Sequence, residues 1–221
     1  MARNRFVRKL NELRRGVIDM GAITLQAVKD VLTALETSDT ALAERVIAND
    51  DKIDNLDRKI ESQCVRLLAL EQPMAKDLRI IATSFKMITD LERIGDWSVD
   101  IAEEVINMGK PIRIPVSASK FNELVADVKA MVADSIEAYT QGNVQQARTF
   151  EARDDRIDSL YKQIVDDMVN SLAQGKCSTE TVADVTSLLY VIRYLERIAD
   201  HAVAIGNRIC YMEEGERRYL K

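Results

Sequence analysis

Leu91-Glu92-Arg93-Ile94-Gly95-Asp96 recurs later in the chain as Leu195-Glu196-Arg197-Ile198-Ala199-Asp200, at an offset of 196 − 92 = 104 residues. Asp50-Asp51-Lys52-Ile53-Asp54 recurs as Asp154-Asp155-Arg156-Ile157-Asp158 with the same offset. Two separate motifs that share one offset, with no gap between them, indicate an internal duplication of about half the chain. The sequence therefore predicts two similar lobes, which we place at residues 1–110 and 111–221.

The composition favours long helices, because glycine, proline and aromatic residues are scarce in a chain rich in Ala, Leu, Glu and Arg. Apolar residues at steps of three and four predict three helices per lobe. Short connections between long helices force antiparallel neighbours. We therefore expect an all-α fold, made of two tandem three-helix antiparallel bundles. The predicted helices span residues 5–36, 39–72, 74–108, 117–140, 144–173 and 178–212, with 109–115 as the linker between lobes.

Charge and hydropathy exclude several classes of function. The formal net charge is −5, whereas nucleic-acid binding without sequence preference requires a clustered basic surface. No apolar run approaches the ~18 residues that a membrane span needs, and no apolar signal core follows the basic N-terminus. The three cysteines are far apart and are expected to be small buried residues of a reducing compartment.

Each half of the chain keeps two carboxylate pairs spaced four residues apart, which places both side chains of a pair on one face of a helix. In an antiparallel bundle, the middle of the second helix of a lobe can face the middle of the third. The pairs can then converge at one edge of each bundle. They are Asp50 and Asp54, Glu92 and Asp96, Asp154 and Asp158, and Glu196 and Asp200.

Glu92 and Glu196 also interrupt apolar arcs of their helices. At ~100° per residue, Glu92 falls in the middle of an arc that we expect to be buried. A buried carboxylate must be protonated, paired with a cation or bound to a metal. The arc of the third helix consists of Ile81, Phe85, Ile88 and Val99.

The spacing alone leaves two interpretations of these carboxylates open. They can form a solvated acidic face or salt bridges with neighbours such as Arg93. Alternatively, they can hold metal ions, because four or five carboxylates in one place repel unless cations lie among them. Oxygen-rich clusters suit Mg²⁺, Ca²⁺, Mn²⁺ and iron.

No catalytic constellation is visible, and we expect this chain not to be an enzyme. It has no nucleophile elbow, phosphate-binding loop or glycine-rich dinucleotide loop. Its one histidine, His201, cannot supply the two Glu-x-x-His motifs of a ferritin-like di-iron site. We expect His201 to be a surface or edge residue and Trp97, its counterpart in the first lobe, to be a packing residue.

Three motifs together resemble the PhoU family of phosphate transport system regulators. They are Gln72-Pro73 followed by Asp77-Leu78-Arg79, then the segment from Asp90 to Asp96, then the segment from Leu195 to Ala202. The resemblance covers nearly the whole chain, including its length and its duplicated halves.

The resemblance implies two three-helix bundles whose Glu/Asp-x-x-x-Asp motifs hold metal ions, in multinuclear clusters of iron, zinc, manganese or magnesium. It also implies a cytoplasmic regulator that attaches to the phosphate-specific ABC transporter at the inner face of the membrane. Such a regulator passes the state of the transporter to a sensor histidine kinase and represses the phosphate-starvation response. We expect a homodimer, recruited through the transporter and not through lipid, because the sequence shows neither a span nor a basic amphipathic anchor.

The two lobes depart differently from the family pattern, which usually places His after the motif Asp and Asn three residues later. Lobe one has Trp97 and Asp100 at these positions, and lobe two has His201 and Ala204. Asp100 is therefore a candidate ninth ligand that favours tighter binding in lobe one. A helical protein that stores or buffers metal is the alternative function, and a metal-free helical scaffold is a third. Metal stoichiometry per chain separates them.

Overall fold

The computed structural model describes residues 2–109, 118–173 and 179–215, without the side chains of residues 2 and 179–181. Helices occupy almost all of these ranges and no strand occurs within them, which confirms the all-α prediction. The helices are α1 (Ala2–Thr37), α2 (Thr40–Glu71), α3 (Ala75–Met108), α4 (Ala118–Gln141), α5 (Val144–Ala147), α6 (Phe150–Ala173) and α7 (Thr179–Glu214).

The helices pack as two bundles that share a central pair. In lobe one α1, α2 and α3 pack together, and in lobe two α4, α6 and α7 do so. Helices α3 and α7 also pack against each other, and α1 contacts α4. Lys76 and Arg79 near the start of α3 bind Glu213 and the Met212 carbonyl near the end of α7, at 2.8 and 3.2 Å. The central pair is therefore antiparallel, and the core is continuous across the two lobes.

The predicted turn between the first two helices is confirmed. The side chain of Asp39 accepts a hydrogen bond of 2.9 Å from the Leu42 backbone N–H and so caps α2. The turn at residues 141–143 is also present, with Gly142 at φ 65° and the Asn143 side chain capping α5. The linker at 110–115 and the predicted caps at Ser117 and Ser178 lie outside the described residues.

The predicted fifth helix is in fact two helices, α5 and α6, which meet at a tight contact with α7. A Cβ on Gly206 would lie only 2.6 Å from Phe150 Cδ2 and 3.1 Å from the Ala147 carbonyl oxygen. In lobe one the residues that correspond to Phe150 and Gly206 are Val46 and Ala102. The larger ring in lobe two is thus accommodated by a smaller residue on the facing helix.

The buried face of α3 differs from the predicted arc. Ile81 and Ile88 of that arc are buried as predicted, whereas Phe85 and Val99 are only half-buried. Leu91, Ile94 and Ile101, outside the arc, are fully buried. Helix α3 packs against α7 as well as α1 and α2, so its buried sector is wider than a three-helix bundle requires. Glu92 consequently lies at the rim of the core, with its side chain 26% exposed, and the prediction that it occupies the middle of the seam is wrong.

Candidate metal centres

The two carboxylate pairs of lobe one lie close together because α2 approaches α3 at Gly95. A Cβ at Gly95 would lie 2.9 Å from Ile53 Cδ1 and 3.3 Å from Asp50 Oδ1. Burial, and then the negative charges of Asp54 and Asp96, raise the pKa of Asp50 from 3.8 to about 6. Asp96 of α3 therefore lies near enough to Asp50 of α2 for its charge to raise the pKa of Asp50.

Glu92 belongs to the same group of carboxylates. Burial raises its pKa, and the charges of Asp96 and, more weakly, Asp54 and Asp57 raise it as well. Asp57 was not among the predicted site residues. It lies one turn beyond Asp54 on α2 and is half-buried, so the four-residue spacing that selected the pairs did not include it.

Lobe two repeats this arrangement with deeper burial. Burial, followed by the charges of Asp200 and Asp158, raises the pKa of Asp154 from 3.8 to about 7, and Glu196 contributes in the same direction. The Glu196 side chain is only 13% exposed. Within the described residues, Asp154 Oδ1 and Glu196 Oε2 are buried oxygen atoms with no hydrogen-bond partner. Arg193 Nη1 lies 2.8 Å from Glu196 Oε1 and Arg197 Nε lies 3.6 Å from Glu196 Oε2, so Asp154 Oδ1 is the acceptor that a cation here would satisfy most directly.

An arginine at the same position of each repeat neutralises part of each group. Arg93 Nη1 lies 2.8 Å from Asp96 Oδ2, and its Nε lies 3.4 Å from Glu92 Oε2. Arg197 Nη1 lies 3.1 Å from Asp200 Oδ2. The salt-bridge interpretation of the motif is therefore correct for the conformation seen here. A metal at either site competes with this arginine for the same oxygens.

Along α3, Asp100 lies one turn after Asp96, whereas Glu92 lies one turn before it. Burial raises its pKa, followed by the charges of Glu103, Asp96 and Glu104. Asp100 and Glu104 in turn raise the pKa of Tyr194 on α7, after burial as the larger cause. The surroundings of Asp100 thus include the surface between the lobes as much as the carboxylates of lobe one.

The chemistry of the carboxylate groups fits a hard cation, but their geometry is not that of a completed site. Among the residues that the structure describes, no group of three or more His, Cys, Asp or Glu side chains is arranged to hold a metal ion. Burial is the larger cause of the raised pKa values, and the charges of neighbouring carboxylates are the second cause. Metal binding therefore requires side chains to rotate away from Arg93 and Arg197 and towards a common point.

A buried ionic cluster between the lobes was missed by the sequence reasoning. Asp90 on α3 is buried, with 4% of its surface exposed. Arg208 on α7 donates to both of its carboxylate oxygens, with Nη2 3.0 Å from Oδ1. His201 Nδ1 lies 3.3 Å from Asp90 Oδ1. His201 is thus a half-buried residue of the lobe interface, where it binds a carboxylate of the other lobe.

The positions of this cluster differ between the two copies of the repeat. The counterpart of Asp90 is Tyr194, and the counterpart of His201 is Trp97. Trp97 stacks on Tyr194, with ring centroids 5.5 Å apart and planes at 21°. These two positions contact each other in both copies, once as an ion pair and once as a ring stack. The prediction that Trp97 is a packing residue is confirmed.

Comparison with known proteins places this geometry in a family. A model of the PhoU domain matches residues 17–105 and 121–209, two segments separated by 121 − 17 = 104 residues. The chain belongs to the PhoU family. It is 35% identical over 98% of both chains to a PhoU homologue of Clostridium acetobutylicum, named as a phosphate-specific transport system accessory protein. A homologue of the same name from Pseudomonas putida is 33% identical over 95% of this chain and 81% of its own.

The fold of this PhoU-family chain agrees with crystal structures of its relatives. PhoU from Pseudomonas aeruginosa superposes with a TM-score of 0.89 at 30% identity, over 96% of this chain and all of that one. The PhoU of Streptococcus pneumoniae, described as a phosphate transport system regulatory protein, superposes with a TM-score of 0.88 at 29% identity, over 97% of this chain and all of that one. No helix within the described ranges is long and apolar enough to cross a membrane.

Proposed function

We propose that this PhoU-family protein is a phosphate-signalling adaptor that represses phosphate uptake and phosphate-starvation genes when phosphate is ample. One observation carries the proposal: full-length relatives at 35% and 33% identity are named as accessory proteins of the phosphate-specific transport system. The duplicated architecture extends through both halves of the chain. The role is one of binding and not of catalysis.

In this proposal the protein works in the cytoplasm, where it docks on the inner face of the phosphate ABC transporter. It reports the state of the transporter to a downstream partner, in bacteria a sensor histidine kinase. Long helical bundles suit this role, because they offer extended faces on which partner helices dock. We propose that the protein acts as a homodimer in this complex.

We further propose that the carboxylate groups bind metal ions, one group per lobe. Asp50, Asp54, Glu92 and Asp96 are the ligands in lobe one, with Asp100 as an additional ligand. Asp154, Asp158, Glu196 and Asp200 are the ligands in lobe two. The unsatisfied oxygen of Asp154 supports the second site, and carboxylate oxygens suit hard cations such as magnesium, manganese and iron.

A bound cation would neutralise carboxylates that now raise each other's pKa, and would join the second and third long helices of each lobe. A few ions per chain are expected for this role. A number of bound metal ions far above the two carboxylate clusters per chain would favour the alternative function of metal storage.

The direct test is capture of the transporter. The tagged protein is incubated with host membranes that have been solubilised in detergent, so that no lipid surface contributes, and the bound polypeptides are identified by mass spectrometry. We expect the subunits of the phosphate ABC transporter to be enriched over an untagged control. Their absence from the captured material, when they are present in the extract, would contradict the docking proposal.

A further inference from the structure

One end of lobe one carries most of the exposed large apolar side chains. Nine such residues are exposed in the described part of the chain, and six of them belong to this end. Met74 is 80% exposed and Leu70 is 67% exposed. We call this surface the lobe-one tip; it consists of Val7, Val65, Leu68, Leu70, Met74 and Leu78.

Three helices meet at the lobe-one tip. Lys9 in the first turns of α1 binds Glu71 at the end of α2, with Nζ 2.6 Å from Oε1. The turn between α2 and α3 follows directly, so Leu70 and Met74 lie on either side of Gln72-Pro73. Residues at a helix–helix turn form the convex end of a bundle. The surface is therefore a projecting apolar tip and not a groove.

Cations surround this apolar tip in a protein that is otherwise acidic. Residues 2–15 contain six Lys or Arg and one Glu, a net charge of +5, so the rest of the chain carries −5 − 5 = −10. Arg3, Arg5 and Arg66 are exposed. Lys9 and Lys76 are paired with Glu71 and Glu213, so the three exposed arginines are the cations that this end offers to an anionic surface.

The other lobe repeats two of these six exposed apolar residues, without the cations that stand beside them in lobe one. The counterparts of Val65 and Leu78 are Val169 and Val182, which are 54% and 45% exposed. In contrast, Asn170 stands where lobe one has Arg66, and Glu180 where it has Lys76.

The basic first turns of α1 have no counterpart among the described residues of lobe two either. The counterparts of Arg3, Arg5 and Arg8 are Asn107, Gly109 and Ile112, whereas that of Lys9 is Arg113. Val169 and Val182 are therefore an internal control: two exposed apolar residues without basic residues at the positions that match Arg66 and Lys76.

We propose that the lobe-one tip binds the surface of a bilayer that contains anionic lipids. Its apolar side chains enter the region between headgroups and acyl chains, and the surrounding arginines bind lipid phosphates. A protein helix is a poorer occupant, because helix recognition uses a groove and this surface projects. The sequence shows no apolar segment next to the basic N-terminus. Leu70 and Met74 are brought close to it only by the folding of the bundle.

This contact supplements the transporter and does not replace it. A few exposed side chains and cations give weak, reversible binding that falls as salt rises. A second weak contact lengthens the time that a docked protein stays on the transporter, because both contacts then hold the same molecule. The orientation that follows has lobe one, at the end formed by the α2–α3 turn, against the membrane.

The test uses purified full-length protein and phosphatidylcholine vesicles with and without phosphatidylglycerol, in a co-sedimentation assay without the transporter. We expect the protein to bind only the anionic vesicles, and raised salt to release it. Replacing Arg3 and Arg5 by Gln should weaken binding about 25-fold, since each cation near an anionic surface contributes roughly fivefold. Leu70→Ser with Met74→Ser should weaken it by roughly tenfold or more.

The matched control is Val169→Ser with Val182→Ser at the other end, which should bind like the unmodified protein. All substituted side chains are exposed, and thermal unfolding checks that each variant is folded. Equal binding to neutral and anionic vesicles, or no effect of the tip variants, would overturn the proposal. A third result would also overturn it: the unmodified protein does not bind vesicles, and the tip variants no longer capture transporter subunits in detergent. The tip would then be a protein-binding surface. Failure of vesicle binding leaves the transporter-capture result unaffected, so the two proposals fail separately.

Discussion

Replacing Asp90 by Asn should destabilise the protein substantially, although the change keeps the shape of the side chain. Asp90 is buried in the interface between the lobes and accepts hydrogen bonds from Arg208 on both carboxylate oxygens. A carboxamide at this position would offer only one acceptor oxygen and no charge. The guanidinium of Arg208 would then be held against an uncharged neighbour at the centre of the molecule.

The expected magnitude follows from the burial of the three partners. Breaking a buried ion pair by removing one member costs about 3–5 kcal/mol. The side chains of Arg208 and His201 are 27% and 26% exposed, so water partly solvates the stranded cation. We therefore expect a loss of about 2–3 kcal/mol in the free energy of unfolding.

Urea denaturation followed by circular dichroism measures this loss as a shift in the midpoint at constant slope. The control is Asp134→Asn, which breaks a more exposed pair with Arg153 (side chains 35% and 31% exposed). That pair should contribute under about 1 kcal/mol. A double-mutant cycle with Arg208→Gln should show strong coupling to Asp90. A loss no larger than that of the control, or additive effects of the two changes, would refute the reasoning.

Three further predictions concern the metal sites and the packing of lobe two. Because the pKa of Asp154 is raised from 3.8 to about 7, its contribution to stability is present at low pH and is lost as pH rises between these values. In chelator, the Asp154→Asn variant should therefore become more stable relative to the unmodified protein as pH rises from about 4 to 7. Parallel plots of unfolding free energy against pH for the two proteins would contradict this. Elemental analysis after reconstitution with iron, manganese or zinc should find at least one ion per chain, and Asp100→Asn should weaken binding in lobe one; fewer ions, or an unchanged affinity, would count against the respective claim. Gly206→Ala should cost about 1–3 kcal/mol in chemical denaturation, because its Cβ would overlap Phe150, and an unchanged midpoint would contradict the packing argument.

The duplication and the helical periodicity were enough to predict the architecture of each lobe. The core positions of the first helix, among them Leu13, Val17 and Met20, are buried as expected, because a stripe at steps of three and four fixes which face of a helix is apolar. Periodicity does not state how many neighbours a helix has. The contact between α3 and α7 therefore escaped prediction, and with it the displacement of Glu92 to the rim of the core.

The candidate metal centres were predictable as pairs on single helices, because the i, i+4 spacing determines the shared face. The proximity of pairs from different helices depends on how closely those helices approach each other, which the spacing along one helix does not determine. The cluster of Asp90, His201 and Arg208 spans two lobes and so has no spacing signal. Both positions differ between the two copies, as Tyr194 and Trp97, but their contact is visible only in the structure.

The most direct test of the central claim is phosphate-dependent gene control in a host strain that lacks this protein. A reporter for a phosphate-starvation gene and the rate of phosphate uptake are measured in ample phosphate, with the deletion complemented by the unmodified gene. We predict that both stay high in the deletion strain and return to the repressed level on complementation. Normal repression in the deletion strain would contradict the regulatory role.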